Sequence, residues 1–453
     1  MRNIPVNKKY LFFCILLGLL LCGTQIIGST ILILGVLALY MVLVAWCSAN
    51  DFTLPILLFF LPWSPILRLD PTSFSFYTFG MVLVCLVSVV KRRFAIRKYQ
   101  LIAGLMLLFV TLLSKLLDSS GLAFDYIAFL MMIVLFPTVR EEGQKQKYDF
   151  HQAVVYFSLG IIVASLCAMY FAEYANIRKF IRVDSYLTIL RRSGFYGDAN
   201  FYVAQILAAL GGVLALTLQG LKKKQVTFLA IIALFLLYCG FLSGSKSFAL
   251  IGIAVLLLWI IAILKLRGKV GLKIVLLAFF VCTLVYVATS VMFSGLVEVI
   301  LTRFSNANDL NSLTTGRVGL WKSYIDEMFS NVKVFFLGRG FTNVKINGRA
   351  SHNTILQMFY QFGLLGFPFV VYWIVCFYRS GMQTVRGQKR FNLRIFMIAV
   401  GAFVPWMAID TLFFDEFFLF QMYMCLALSS FQTEQLSKRF DKSERDNQLG
   451  GKI

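Results

Sequence analysis

About fourteen apolar stretches, each close to the length of a bilayer crossing, leave this chain few folds to choose from. A transmembrane helix needs roughly 20 mainly apolar residues, with a range of about 17 to 25. That rule predicts helices near 10–27, 30–47, 53–68, 74–90, 99–117, 121–138, 151–172, 199–219, 225–242, 247–265, 272–294, 353–378, 393–411 and 416–432. Pro55, Pro62 and Pro65 interrupt the third, which is expected to be kinked or re-entrant. Only 14% of the residues are charged against 59% hydrophobic, where soluble chains run nearer a quarter charged. A soluble fold of this length cannot hide that much apolar surface. The expected fold class is therefore an all-α polytopic membrane protein. Arg2, Lys8 and Lys9 imitate the start of a signal peptide, but no small-residue cleavage pattern follows, and the first run reads as a retained helix. The nine cysteines stand singly in apolar runs and read as small core residues, not as disulfide partners or metal ligands.

The formal charge of +22 has a topological explanation first, basic loops kept in the cytoplasm. With a cytoplasmic N-terminus, segments 91–98, 140–147, 221–224, 265–273, 379–394 and the C-terminal tail 433–453 fall inside, and nearly all are basic. Two longer segments fall outside, 173–198 and 295–352, the second between predicted helices 11 and 12. They hold Arg178, Lys179, Arg182, Arg191 and Arg192, then Arg303, Arg317, Lys322, Lys333, Arg339, Lys345 and Arg349. Basic residues on the side where the rule removes them need another reason, and an anionic ligand supplies one. Residues 1–453 thus read as one integral membrane domain with an outer cap.

Within the second outer segment, Thr314-Thr315-Gly316-Arg317 precedes an amphipathic run with Val318, Trp321, Ile325 and Met328 on one face. The run is expected to lie on the membrane with Trp321 and Tyr324 at headgroup depth. Arg317 then sits at a helix N-terminus, where the dipole favours anions; an ordinary snorkelling arginine accounts for it equally. Arg339 stands between two glycines in Leu337-Gly338-Arg339-Gly340, a pattern that a plain turn also explains. Ser351-His352-Asn353 opens the next helix, with Ser351 as its expected N-cap. His352, one of two histidines, lies at the membrane edge beside the arginine-rich segment, whereas His151 falls at a cytoplasmic helix start. In the first outer segment the pair Arg191-Arg192 suits bidentate phosphate binding. Asp198 and Asn200 open the following helix, and Lys246 stands at a tight turn after Ser243-Gly244-Ser245. Asp410, Asp415 and Glu416 cluster near the ends of the last two helices and read as a connecting turn. No metal-ligand spacing, P-loop or dinucleotide fingerprint is present.

SGSKSFAL (243–250), TGRVGLWKSY (315–324), LGRGF (337–341) and SHNTILQMFYQFGLLG (351–366), with RRSGFYGDANFYVAQ (191–205) before them, resemble the O-antigen ligase-like superfamily. That group includes Wzy-type O-antigen and capsular polysaccharide polymerases and the O-antigen ligases. The resemblance covers residues 191 to 366, and Lys246 stands where relatives often carry arginine. It implies a GT-C-like fold and a metal-independent, cofactor-free, inverting glycosyl transfer on the outer face of the bacterial cytoplasmic (inner) membrane. Undecaprenyl-pyrophosphate-linked oligosaccharide is the implied donor and acceptor, with a chain-length regulator and a flippase as candidate partners, and no nucleic acid. On that reading Arg192, Arg317 and His352 are catalytic. Arg191, Lys246, Arg339, Arg349, Asn353 and Asn200 bind pyrophosphate or glycan. His352 takes the acceptor proton or holds the pyrophosphate. The span count favours a polymerase over a ligase that transfers to lipid A core. A lipid-linked oligosaccharide flippase is the alternative of a different class, and it would need charges inside the helices.

Overall fold

The computed structural model describes residues 6–91, 96–118, 124–136, 149–181, 185–186, 189–190, 192–292, 305, 309, 311, 314–342, 344–381 and 392–431. Every apolar stretch named above carries helix within those residues. In chain order these are α1 (Lys8–Ile27), α2 (Thr30–Ala49), α3 (Thr53–Phe60), α4 (Phe76–Val90), α5 (Lys98–Leu117), α6 (Phe124–Leu135) and α7 (Phe150–Tyr170). Then come α8 (Ala199–Thr217), α9 (Lys223–Leu242), α10 (Lys246–Met292), α11 (Arg317–Ser330), α12 (Val332–Leu337), α13 (Thr354–Gly381) and α14 (Leu393–Phe403). A last helix, α15, covers 415–431. Among the described residues eight helices are long and apolar enough to cross a membrane. Their flanks leave Phe12, Ile31, Leu101, Phe109 and Leu257 more than half exposed, which suits a lipid solvent and not water. The architecture is that of an all-α membrane protein, with one small exception: Ser185–Tyr186 pairs antiparallel with Ile189–Leu190.

Helix α8 is the axis of the bundle. It is apolar all round, and every residue in it except Asn200 is buried, against α7, α9, α10 and α14. Its N-terminal end is capped by Asp198.

The proline-rich third stretch departs from a simple span. Only Thr53–Phe60 is α-helical, and a 3-10 turn, Leu61–Trp63, follows; all eleven residues are buried. Eight helical residues rise ~12 Å, far short of a bilayer core. The segment nevertheless runs the length of α1. Phe52 packs its ring against Tyr10 at 5.0 Å, near the start of α1. The carbonyls of Ile66 and Arg68 accept from Gln25 Nε2 near its end, at 3.2 and 2.8 Å. Irregular backbone is tolerated here because protein surrounds it.

One glycine turns the chain between the two helices expected at 247–265 and 272–294, and a second breaks the single helix expected at 353–378. At Gly268 (φ 50°) α10 folds back on itself. A Cβ on Gly271 would lie 2.7 Å from the Ile263 carbonyl, whereas residues eight apart in one helix are ~12 Å distant. At Gly363 (φ 60°, ψ −172°) α13 breaks. The break frees the carbonyls of Tyr360 and Gln361, and the N–H groups of Arg339 and Gly340 occupy them, each at 2.9 Å. Gly338 comes so close to this break that a Cβ on it would meet the Gln361 oxygen at 2.4 Å.

Helices α11 and α12 form a cap with its own small core of Leu320, Tyr324, Met328, Val334 and Tyr360. The buried seam of α11 is Leu320–Tyr324–Met328, while Val318 and Ile325 stay exposed. Met328, expected on the membrane-facing stripe, and Tyr324, expected at headgroup depth, turn instead into the cap core. Tyr324 lies inside the cap, its ring 4.7 Å from that of Tyr360.

Candidate functional site

Five chain segments converge on one cavity of about 400 Å³, the last of them 404–408. The first is the turn before α8. Ser193 Oγ donates to the Tyr196 carbonyl at 2.5 Å, and the buried Tyr196 hydroxyl donates to Glu416 at 2.8 Å. Gln205 Nε2 reaches both, at 2.7 and 3.0 Å. So anchored, the turn delivers Asp198 as the N-cap of α8: its Oδ1 accepts from the Asn200 N–H at 2.7 Å and from Asn200 Nδ2 at 2.9 Å. Asn200 Oδ1 in turn accepts from Ser245 Oγ at 3.1 Å. That bond ties the start of α8 to the turn that starts α10 with Lys246.

The third segment is Thr314–Arg317. Thr315 (φ 59°) and Gly316 (φ 80°) are both left-handed, which is unusual for a β-branched residue. The pair sets Arg317 as the first residue of α11. The fourth is a two-residue hairpin at Asn347-Gly348. Both residues have positive φ, as a type I′ turn requires, and Ile346 pairs with Arg349 through bonds of 3.2 and 2.9 Å. The Tyr324 hydroxyl donates to the Arg349 carbonyl at 2.9 Å, so the cap core fixes the hairpin. Trp321 Nε1 donates to the Ser351 carbonyl at 2.9 Å.

His352 follows in a left-handed conformation, φ 50°. For a side chain of this kind the strain is ~1–3 kcal/mol. What holds it is Asp410, 4% exposed. Its carboxylate accepts from the His352 N–H at 2.8 Å, from the Asn353 N–H at 3.2 Å and from Ser351 Oγ. The His352 Nδ1 atom is buried and lies 3.9 Å from Asp410, too far for a hydrogen bond. Burial holds the His352 imidazole below its ordinary pKa; Asp410 opposes this, and Arg317 and Arg349 reinforce it. Burial and the two arginines thus favour the neutral imidazole.

Five of the expected site residues line the cavity together: Asn200, Lys246, Arg317, Arg349 and His352. With them stand Asp198, Trp321, Thr314 and Thr315. The N-termini of α8, α10 and α11 all open onto it, which adds partial positive charge to three cationic side chains. Leu250, Val404 and Met407 form an apolar wall and are themselves well exposed on the helix flanks.

The other expected residues are placed elsewhere. Arg339 pairs with Glu327, its Nε donating at 3.0 Å, and lies 3.8 Å from Asp118; Lys333 also meets Asp118. Tyr360 donates to the second Glu327 oxygen at 2.9 Å. Asn353, not Ser351, caps α13, with Oδ1 accepting from the N–H groups of Ile355 and Leu356 at 3.1 Å each. Ser351 is drawn off by Asp410. Arg192 is pinned by its own N–H to the Leu242 carbonyl at 3.1 Å and does not line the cavity. Arg191, the tail 433–453 and most of the segment before Thr314 lie outside the described residues. Two features escaped the sequence reading. Asn347-Gly348 is itself a hairpin signature. Asp410 falls in an expected connecting turn, and only tertiary structure joins it to His352. Compared with known proteins, the chain matches no protein-family model and no curated protein sequence.

Proposed function

We propose that this chain is a membrane glycosyltransferase, a polysaccharide polymerase of the O-antigen ligase-like kind. It would join undecaprenyl-pyrophosphate-linked oligosaccharide units at the outer face of a bacterial cytoplasmic membrane. On this reading about fourteen spans hold a GT-C-like fold, both termini are cytoplasmic, and segment 295–352 is extracytoplasmic. One observation carries the proposal. A single cavity sets Lys246, Arg317, Arg349 and three helix N-termini beside an apolar wall that is open along the helix flanks. A lipid-linked pyrophosphate has that division: a concentrated anion on an apolar tail.

The chemistry follows from charge. The acceptor hydroxyl attacks the anomeric carbon from the face opposite the leaving group. A new C–O bond forms as the bond to pyrophosphate breaks, and the pyrophosphate keeps the electron pair. Arg317, Arg349 and Lys246 stabilise the charge that grows on it. Neutral His352 accepts the hydroxyl proton.

The test uses the full chain in liposomes with the cell's own lipid-linked repeat unit and no nucleotide. A ladder of longer lipid-linked chains is expected, and Arg317→Ala should slow it by about 100-fold or more. Movement of the substrate across the bilayer with no new glycosidic bond would overturn the reading in favour of a flippase. Product formed only on added lipid A core would make it a ligase.

A further inference from the structure

Among the residues lining the cavity, Asp198 supplies the one carboxylate and Trp321 the one benzenoid ring. Neither suits a pyrophosphate. A carboxylate repels it, and an indole face has no use for it. Capping explains half of Asp198: Oδ1 serves the Asn200 N–H and side-chain amide. Asparagine would cap α8 as well without placing a negative charge among three cations. Trp321 is only half-buried although it belongs to a cap with a packed core of its own. Its indole N–H is spent on the Ser351 carbonyl, next to His352, so the ring is held in one orientation.

We propose that Asp198 and Trp321 form a saccharide subsite within the cavity, accepting the sugar ring whose hydroxyl is to react. The inference rests on the glycosyl-transfer reading above. A pyranose offers an apolar C–H face and an edge of hydroxyl donors. The Trp321 ring matches the first, and the open Oδ2 of Asp198 accepts from the second. The two residues come from the first and second arginine-bearing segments, so the subsite exists only where both segments meet. Asp198 also acts electrostatically on His352. Asp198 and His352 line the same cavity, so a hydroxyl held by Asp198 shares it with the group that takes its proton.

The experiment is equilibrium dialysis with the full chain in lipid nanodiscs and two labelled probes. One is inorganic pyrophosphate. The other is the free oligosaccharide released by mild acid from the cell's lipid-linked repeat unit. Asp198→Asn keeps the helix cap. It should weaken the oligosaccharide by about tenfold, through the lost charged acceptor, and tighten pyrophosphate, through the lost repulsion. Trp321→Leu should weaken the oligosaccharide by about tenfold and leave pyrophosphate unchanged, and Trp321→Phe should restore part of the loss. A merely structural role would weaken both probes together, and that result overturns the subsite. So does a wild-type protein that binds pyrophosphate through Arg317 but not the oligosaccharide, although glycosyl transfer then survives. Binding of neither probe by the wild type overturns both.

Discussion

His352 is held in a backbone conformation it would not choose, at a place where its charge matters. The bonds from Asp410 offset that strain, and the same carboxylate favours the imidazolium while burial and two arginines disfavour it. The balance lies on the neutral side, so the sign of the pH response is fixed. A base with a lowered pKa is lost only when pH falls below the ordinary histidine range of about 6.5. The acid limb of kcat/KM against pH should therefore lie below that value. Asp410→Asn removes the charge that favours protonation. It should push the limb lower still, while slowing the rate about tenfold or more as His352 loses its anchor. An acid limb that moved upward in Asp410→Asn would contradict this account. At this scale the sequence was a good guide to charge and a poor one to partners. Arg317, Arg349, Lys246 and His352 stood out as cationic or titratable groups on the expected outer side, where the positive-inside rule disfavours basic residues. Asp410 did not stand out, because a carboxylate at a helix end is unremarked until its partner from fifty-odd residues upstream is seen across from it.

Among the elements, the pairing of Leu337–Gly340 with the broken helix α13 accounts for the setting of Arg339. Its glycines fit the chain against the break at Gly363, its N–H caps a freed carbonyl, and its side chain binds Glu327 beside Tyr360. Arg339→Ala should thus loosen the cap. The loss of one charged partner from a part-buried pair is worth on the order of 1–3 kcal/mol. Thermal unfolding should fall accordingly, while pyrophosphate binding per folded molecule stays near wild type. Gly363→Ala meets backbone 2.5 Å away at a left-handed position and should destabilise more than Arg339→Ala. If Arg339→Ala instead left stability intact and abolished pyrophosphate binding, the residue would belong with Arg317. Helix periodicity located α13 but not its break, since an isolated glycine in an apolar run reads as a packing site until the second backbone is in view.

For the whole molecule, apolar length located the helices, and charge placement supplied the expected sidedness. The third stretch shows where this reading stops: prolines removed its helix, but surrounding protein let it run the length of α1 all the same. Sidedness has a direct measurement. The free cysteines among the described residues are buried or only partly exposed, so background labelling should be low. Gly348→Cys in the hairpin should react with an impermeant maleimide in intact spheroplasts, and Lys223→Cys at the start of α9 only after permeabilisation. Equal labelling of both in intact cells would remove the proposed orientation. The bond between Asp410 and the His352 turn also has a consequence for how the protein is made. Asp198 and its helix leave the ribosome roughly 200 residues before Asp410 does, a lag of ~10–40 s at ordinary synthesis rates. Until α14 and the segment after it are inserted, the Asp410 bonds that hold His352 in its strained turn cannot form. A nascent or truncated chain is therefore expected to occupy the membrane with its helices in place and, on the proposed reading, without activity on the lipids around it.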